Sequence, residues 1–242
     1  MERLPISLAE RATPFLDYLE AWYQSLPTVD LVATVGQQPE QLLFCSIDMI
    51  NGFCSEGALA SPRVSRLAAP IAALFQRAYD LGVRNFVLTQ DTHTPDTPEF
   101  AAFPPHCIAG TSESRTIPEL TELPFAHQLV TIAKNSLSSH LGTNLGAWLA
   151  ERPQLDTFVL VGDCTDLCVY TAAMHLRMEA NALNLTRRVI VPAALVDTFD
   201  TPVMVAHELG IKAHDADLHH LLFLHHMAQN GVEVVATFRT TS

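Results

Sequence analysis

Apolar runs of strand length recur along this chain, separated by stretches of helical period. The runs are Leu42–Ile47, Asn85–Thr89, Gln128–Ile132, Thr157–Val161, Arg188–Val191 and Val232–Ala236. Most are apolar without alternation, the pattern of strands covered on both faces. Helical periodicity is expected over Val64–Leu81, Asn144–Glu151, Asp166–Ala182, Val203–Leu209 and Ala216–Gln229. Strands alternating with helices predict a three-layer α/β/α sandwich, Rossmann-like, around a central, mainly parallel six-stranded sheet. The first 40 residues read as an amphipathic helix around Leu8–Trp22, then a loop bearing Pro and Gln. The expected division is an N-terminal helical extension, 1–40, and one domain, 41–242.

Composition narrows the class. The chain has 242 residues, 48% hydrophobic and 17% charged, enough for a sizeable core. Lys plus Arg number 14 against 26 Asp plus Glu, a formal charge of −12. That charge repels phosphate backbones and argues against nucleic-acid partners. No apolar stretch approaches ~20 residues, so no spanning helix and no membrane partner are expected. The N-terminus alternates charged and apolar residues without a signal-peptide core, and a cytoplasmic protein is expected. Five cysteines, an odd count, point to reduced thiols.

Parallel sheets bind ligands at the carboxyl ends of their strands, near a topological switch point. Asp48, Asp91, Lys134 and Asp163-Cys164 all fall at such ends. The fourth run leads through Gly162-Asp163-Cys164-Thr165-Asp166-Leu167-Cys168 into a helix, with Thr165 or Asp166 as the expected N-cap. Cys168 then lies in the first turn, where free N–H groups and the helix dipole favour a thiolate and could hold an oxyanion. The plain alternatives are a small buried hydrophobe, or a disulfide or zinc clip with Cys164. Asp48 and Lys134 facing a thiol make a proton relay, or else a salt bridge at a sheet edge. Asp91, His93 and His106 offer one carboxylate and two imidazoles, and Glu99 in the intervening Pro-rich loop adds an oxygen. This set suits Zn²⁺, Fe²⁺ or Mn²⁺ with open positions. The alternative is a set of turn residues.

His219, His220, His225 and His226 form two pairs in one expected helix, with His219 and His226 on one face. No acidic or Cys partner is marked out for them. They read as residues of a subunit interface or a cover for the sheet, and His214 in the preceding loop is unassigned. The apolar residues Phe15, Leu16, Tyr18, Leu19 and Trp22 are expected to pack on the domain or on a second copy of the chain.

The order and spacing of three stretches carry a resemblance. They are Asp48-Met49-Ile50-Asn51-Gly52-Phe53-Cys54, Pro104-Pro105-His106-Cys107-Ile108-Ala109-Gly110-Thr111 and Gly162-Asp163-Cys164-Thr165-Asp166-Leu167-Cys168-Val169. Thr198-Phe199-Asp200-Thr201-Pro202 and Leu218-His219-His220 add to it. From about Leu42 to Phe238 the chain resembles the plant-type nicotinamidases of the isochorismatase-like cysteine hydrolase superfamily. The resemblance implies hydrolysis of nicotinamide to nicotinate and ammonia through a Cys thioester, feeding NAD salvage. It implies Cys168 as nucleophile, Asp48 as general acid/base and Lys134 as the third member of the triad. It further implies an oxyanion hole from the N–H groups of Cys164 and Cys168, with a cis peptide before Cys164. Asp91, His93 and His106, with Glu99, would hold one divalent ion, Zn²⁺ foremost, against the pyridine nitrogen. Phe53 and Phe103 match positions that pack on the ring, Phe103 standing where many members have Trp. Asp163 departs from the small apolar residue usual there. Facing the site it would raise the thiol pKa, and it is expected to point away or pair with a donor. The run Asn135–His140 is this chain's own and lies where specificity could be altered. The competing readings are another small amide (a pyridine carboxamide analogue, maleamate or a ureido acid) or a non-catalytic binding protein on the same fold. A homo-oligomer is expected.

Overall fold

The computed structural model describes residues 7–240. Its strands are β1 (Thr28–Asp30), β2 (Leu42–Ile47), β3 (Asn85–Asp91), β4 (Val130–Lys134), β5 (Thr157–Asp163), β6 (Arg188–Pro192), β7 (Val196–Asp197), β8 (Glu233–Val235) and β9 (Thr237–Arg239). The main sheet has the order β4-β3-β2-β5-β6-β8, with β7 beside the end of β5, and every ladder is parallel. The six expected runs thus become seven strands. Two-residue β7 is too short to leave a periodic signal. β1 and β9 form a separate parallel pair. The stretch expected as a plain loop therefore contains β1 and a helical turn, Leu31–Val35, capped by Asp30 through the N–H of Ala33.

Alternation along the strands divides the core into two layers. On one face Phe44, Phe86, Leu88, Val159 and Val161 meet Ile71, Leu74 and Phe75 of the helix Ala68–Asp80. On the other, Leu43, Cys45, Ile47, Val87 and Leu160 meet Ala172, Ala173 and Leu176 of the helix Cys168–Leu183, with Leu224 and Met227 of the helix Ala216–Gln229. Each such side chain contributes about 1.5–3 kcal/mol by leaving water. No helix among the described residues is long and apolar enough to cross a membrane.

Two helix starts differ from expectation. The period over Val64–Leu81 is split into Pro62–Ser65 and Ala68–Asp80. Pro70 explains the break, because its ring cannot sit against the carbonyl of residue 66 in a continuous helix. The helix expected from Asp166 begins at Cys168, and Leu167 precedes it without a side-chain cap. Thr165 and Asp166 cannot cap it because tertiary partners hold their side chains. Thr165 Oγ1 bonds His220 Nδ1 at 2.9 Å and Asp166 Oδ2 meets His214 Nε2 at 2.8 Å. The N-terminal helix Leu8–Gln24 packs on its own domain, with Phe15, Tyr18 and Trp22 edge-on around the buried ring of His225. Leu19 is buried in that packing, whereas Phe15, Leu16 and Tyr18 stay exposed.

The chain builds β2, β3 and β4 to one side and β5, β6 and β8 to the other, so the order reverses between β2 and β5. Register brings the strand ends level. Asp91 pairs with Lys134, and Ile47 pairs with Thr89 on one side and Gly162 on the other. Gly162 has φ +112°, and a Cβ there would stand 2.0 Å from the carbonyl oxygen of Ile47. Only glycine allows β5 to approach β2 this closely. Gly162→Ala is expected to lower stability by at least about 2 kcal/mol, through strain plus overpacking. Urea denaturation of the variant against wild type measures this.

Candidate active site

Asp48 follows β2 in a left-handed conformation, φ +55°, and is buried. Its Oδ1 accepts the N–H of Asp91 at 2.8 Å. Its Oδ2 lies 2.8 Å from Lys134 Nζ, an ion-pair distance outside hydrogen-bond geometry, and has no hydrogen-bond partner. Lys134, at the end of β4 and 2% exposed, donates to Asp91 Oδ1 at 2.6 Å and to Cys168 Sγ at 3.4 Å. A carboxylate oxygen of Asp48, one of Asp91 and the Cys168 sulfur all lie within 4.8 Å of one another. The Asp163–Cys164 peptide is cis. Among the described residues no acceptor takes the N–H of Cys164 or Cys168. Cys168 is the first residue of its uncapped helix, where N–H groups have no partner within the helix. All five cysteines are free, so Cys164 and Cys168 form no disulfide.

A second group shares the same edge. Ligand atoms of Asp91, His93, Glu99 and His106 lie within 4.8 Å of one another. His93 Nε2 stands 3.4 Å from Asp91 Oδ1 and 3.9 Å from Glu99 Oε1, and His106 Nε2 stands 3.8 Å from Asp91 Oδ2. His93 Nδ1 meets Asn135 Oδ1 at 3.2 Å and His106 Nδ1 meets the Pro104 carbonyl at 2.8 Å. Both partners are acceptors, so each ring carries a proton on Nδ1 and turns Nε2 toward the carboxylates. His93 Nε2 and Glu99 Oε1 are buried without hydrogen-bond partners. The two imidazole planes are inclined at 70°, which lets their in-plane lone pairs converge. Unsatisfied nitrogen and oxygen donors converging in a buried space fit a divalent cation.

Both groups open into one pocket. Phe53 and Phe103 line it with Glu99 and His106, and Asp48, Asp163, Cys164 and Cys168 form its floor chemistry. Leu137, Leu167 and Phe199 complete the apolar wall. These three were not singled out from sequence, although Leu137 falls in the run Asn135–His140 and Phe199 in the stretch Thr198–Pro202. Asn135, which orients His93, was also missed. Its signal is its place directly after Lys134.

The isochorismatase domain model matches residues 42–237. Nicotinamidase 1 of Arabidopsis thaliana is 31% identical over 209 residues, 78% of this chain and 83% of that protein. The chain belongs to the isochorismatase family. Among solved structures, the pyrazinamidase/nicotinamidase of Streptococcus mutans is 27% identical, covers 80% of this chain and 99% of its own, and superposes with a TM-score of 0.63. The pyrazinamidase of Pyrococcus horikoshii, solved in complex with zinc, is 20% identical with a TM-score of 0.63, covering 81% and 98% of the two chains. At that identity it speaks for the fold.

Electrostatics of this isochorismatase-family site set the resting protonation states. Burial, and then the charge of Asp91, push Asp48 up to about 6 against the pull of Lys134. Burial opposes ionisation of Asp91, yet Lys134 and the two imidazoles outweigh it and hold Asp91 below the usual carboxylate range. Burial likewise opposes the Lys134 charge, which Asp48 and Asp91 preserve. The expectation of a resting thiolate at Cys168 does not hold. Burial raises its pKa well above the ordinary value, and Lys134 only partly offsets this. The helix start supplies donors to the site but leaves the sulfur protonated. Asp163 faces the pocket and also pairs with a donor, since its Oδ2 accepts from Cys164 Sγ at 3.4 Å. Burial, and then the Asp48 charge, raise the Asp163 pKa well above its ordinary value.

Lys134 is the cation against which two buried carboxylates are balanced. Lys134→Met is expected to destabilise the protein by about 3–5 kcal/mol, because it leaves those charges uncompensated. Urea denaturation at neutral pH measures the loss, and a variant as stable as wild type contradicts the balance.

Proposed function

We propose that the protein is an amidohydrolase that converts nicotinamide and water to nicotinate and ammonia. The observation that carries this reading is the grouping of Asp48, Asp91 and the Cys168 thiol around Lys134, beside a pocket that Asp48, Cys168, Glu99 and His106 line. The 31% identity to a nicotinamidase supports the substrate.

Cys168 is the nucleophile, and Asp48 Oδ2 takes its proton as the sulfur attacks the carboxamide carbon. A base at about 6 beside a neutral thiol is suited to that transfer. The N–H groups of Cys164 and Cys168 receive the oxyanion. Asp48 returns the proton to the departing nitrogen, ammonia leaves, and a thioester remains. Asp48 then deprotonates water, which attacks the thioester; nicotinate leaves and the proton passes back to the sulfur. Lys134 keeps its charge throughout and offsets the negative charge shared by thiolate and carboxylates. Phe53 and Phe103 pack on the ring. Asp91, His93, His106 and Glu99 would hold one divalent ion, Zn²⁺ first among the candidates, which would supply a Lewis acid for the ring nitrogen and so orient the substrate. The wider reading is NAD salvage in the cytoplasm, with residues 1–40 as an extension to a catalytic domain, 41–242. Self-association is supported by an exposed apolar row at Val203, Met204, Leu209 and Ile211.

The metal-loaded protein is expected to release ammonia from nicotinamide. Cys168→Ala is expected to release none while keeping its circular dichroism and metal content. No release by folded, metal-loaded wild type sinks the reading and turns attention to other small amides. Asn135→Ala is expected to weaken zinc binding roughly 10–100-fold by freeing the His93 ring. Calorimetric titration reads this directly, and unchanged affinity removes Asn135 from the metal site.

A further inference from the structure

Asp166, His214 and His219 form a second cluster, with one ligand atom from each within 4.8 Å of the others. Its ring geometry separates it from the first. The His214 and His219 planes are stacked, 3.9 Å apart and inclined by only 19°. Lone pairs of stacked rings run side by side and do not converge on one ion, unlike those of His93 and His106 at 70°. A different role fits. His214 is the middle of a column in which Phe199 stacks on its other side, 4.0 Å away at 18°. The edge of its ring is held twice. Nδ1 donates to the carbonyl of Phe199 at 2.9 Å, and Nε2 meets Asp166 Oδ2 at 2.8 Å. Both partners belong to the site: Phe199 lines the pocket, and Asp166 lies in the turn just before Cys168.

We infer that His214 is a positioning residue, which holds the Phe199 ring in the pocket wall and thereby sets substrate affinity. This rests on the hydrolase reading of the same pocket. The backbone of this region does not depend on the imidazole, because Thr201 and His214 exchange main-chain hydrogen bonds at 2.8 and 2.9 Å. Asp200 also caps the following helix through the N–H of Ala216. Removal of the ring therefore frees the Phe199 side chain without unfolding the loop. The Phe199 wall touches substrate, whereas Asp48, Lys134 and Cys168 are left in place, so KM is the parameter that moves.

The test compares nicotinamide hydrolysis by wild type, His214→Ala, His214→Asn, His214→Gln and Phe199→Ala, all metal-loaded. His214→Ala and Phe199→Ala are expected to raise KM roughly tenfold with kcat nearly unchanged. Asn can replace the Nδ1 bond to the Phe199 carbonyl but supplies no ring for Phe199 to stack on, and it is expected to recover little of the affinity. Gln reproduces only the Asp166 contact and is expected to recover little. A crystal structure of His214→Ala gives a readout independent of turnover, in which the Phe199 ring is expected to leave the wall. An unmoved ring overturns the inference, as does an Ala variant with wild-type KM, or a loss carried by kcat alone. A wild type that hydrolyses no nicotinamide overturns the proposed function instead, and the crystal structure still decides the role of His214.

Discussion

The candidate site depends on one buried cation. Lys134 reaches the sheet edge fully enclosed and contacts Asp48, Asp91 and Cys168. An ammonium in that position is tolerable only because two carboxylates surround it, and those carboxylates are tolerable only because of it. The register of β3 and β4 makes the arrangement possible by setting Asp91 directly opposite Lys134. Asp91 thereby joins the two halves of the site. One oxygen answers to Lys134 and the nucleophile group, and both face the imidazoles.

Helix and sheet contribute differently to the chemistry. The sheet supplies charged side chains at matched heights, and the Cys168 helix supplies backbone donors. That helix carries no side-chain cap at its start. Had Thr165 or Asp166 capped it, its first N–H groups would be occupied. Their side chains instead reach His220 and His214, and the helix starts at Cys168 without a side-chain cap.

Much of this was legible in the sequence where the signal is local. The runs that became β2, β3 and β5 were clear because both faces are covered, and Val203–Leu209 and Ala216–Gln229 begin and end where their period does. The placing of Asp48, Asp91 and Lys134 at strand ends followed from the same pattern. What escaped depended on distant partners. The cap was misplaced because Thr165 and Asp166 bond to residues about fifty positions away. The acidic neighbour of His219 went unseen for the same reason. The resting state of Cys168 could not be read from its helical position, since burial outweighs the helix start. β1, β7 and β9 are too short to carry a period, and pairing across the whole length of the chain leaves no trace in composition.

That last pairing has a topological consequence. Thr28–Asp30 and Thr237–Arg239 are neighbours in space, with Arg239 reaching Asp30 across the ladder. The segment before the main sheet and the segment after it form a single clasp. Backbone lost on either side leaves the opposite side an unpaired edge. The two strands are therefore expected to fold and fray together, as one cooperative unit made from segments 209 positions apart.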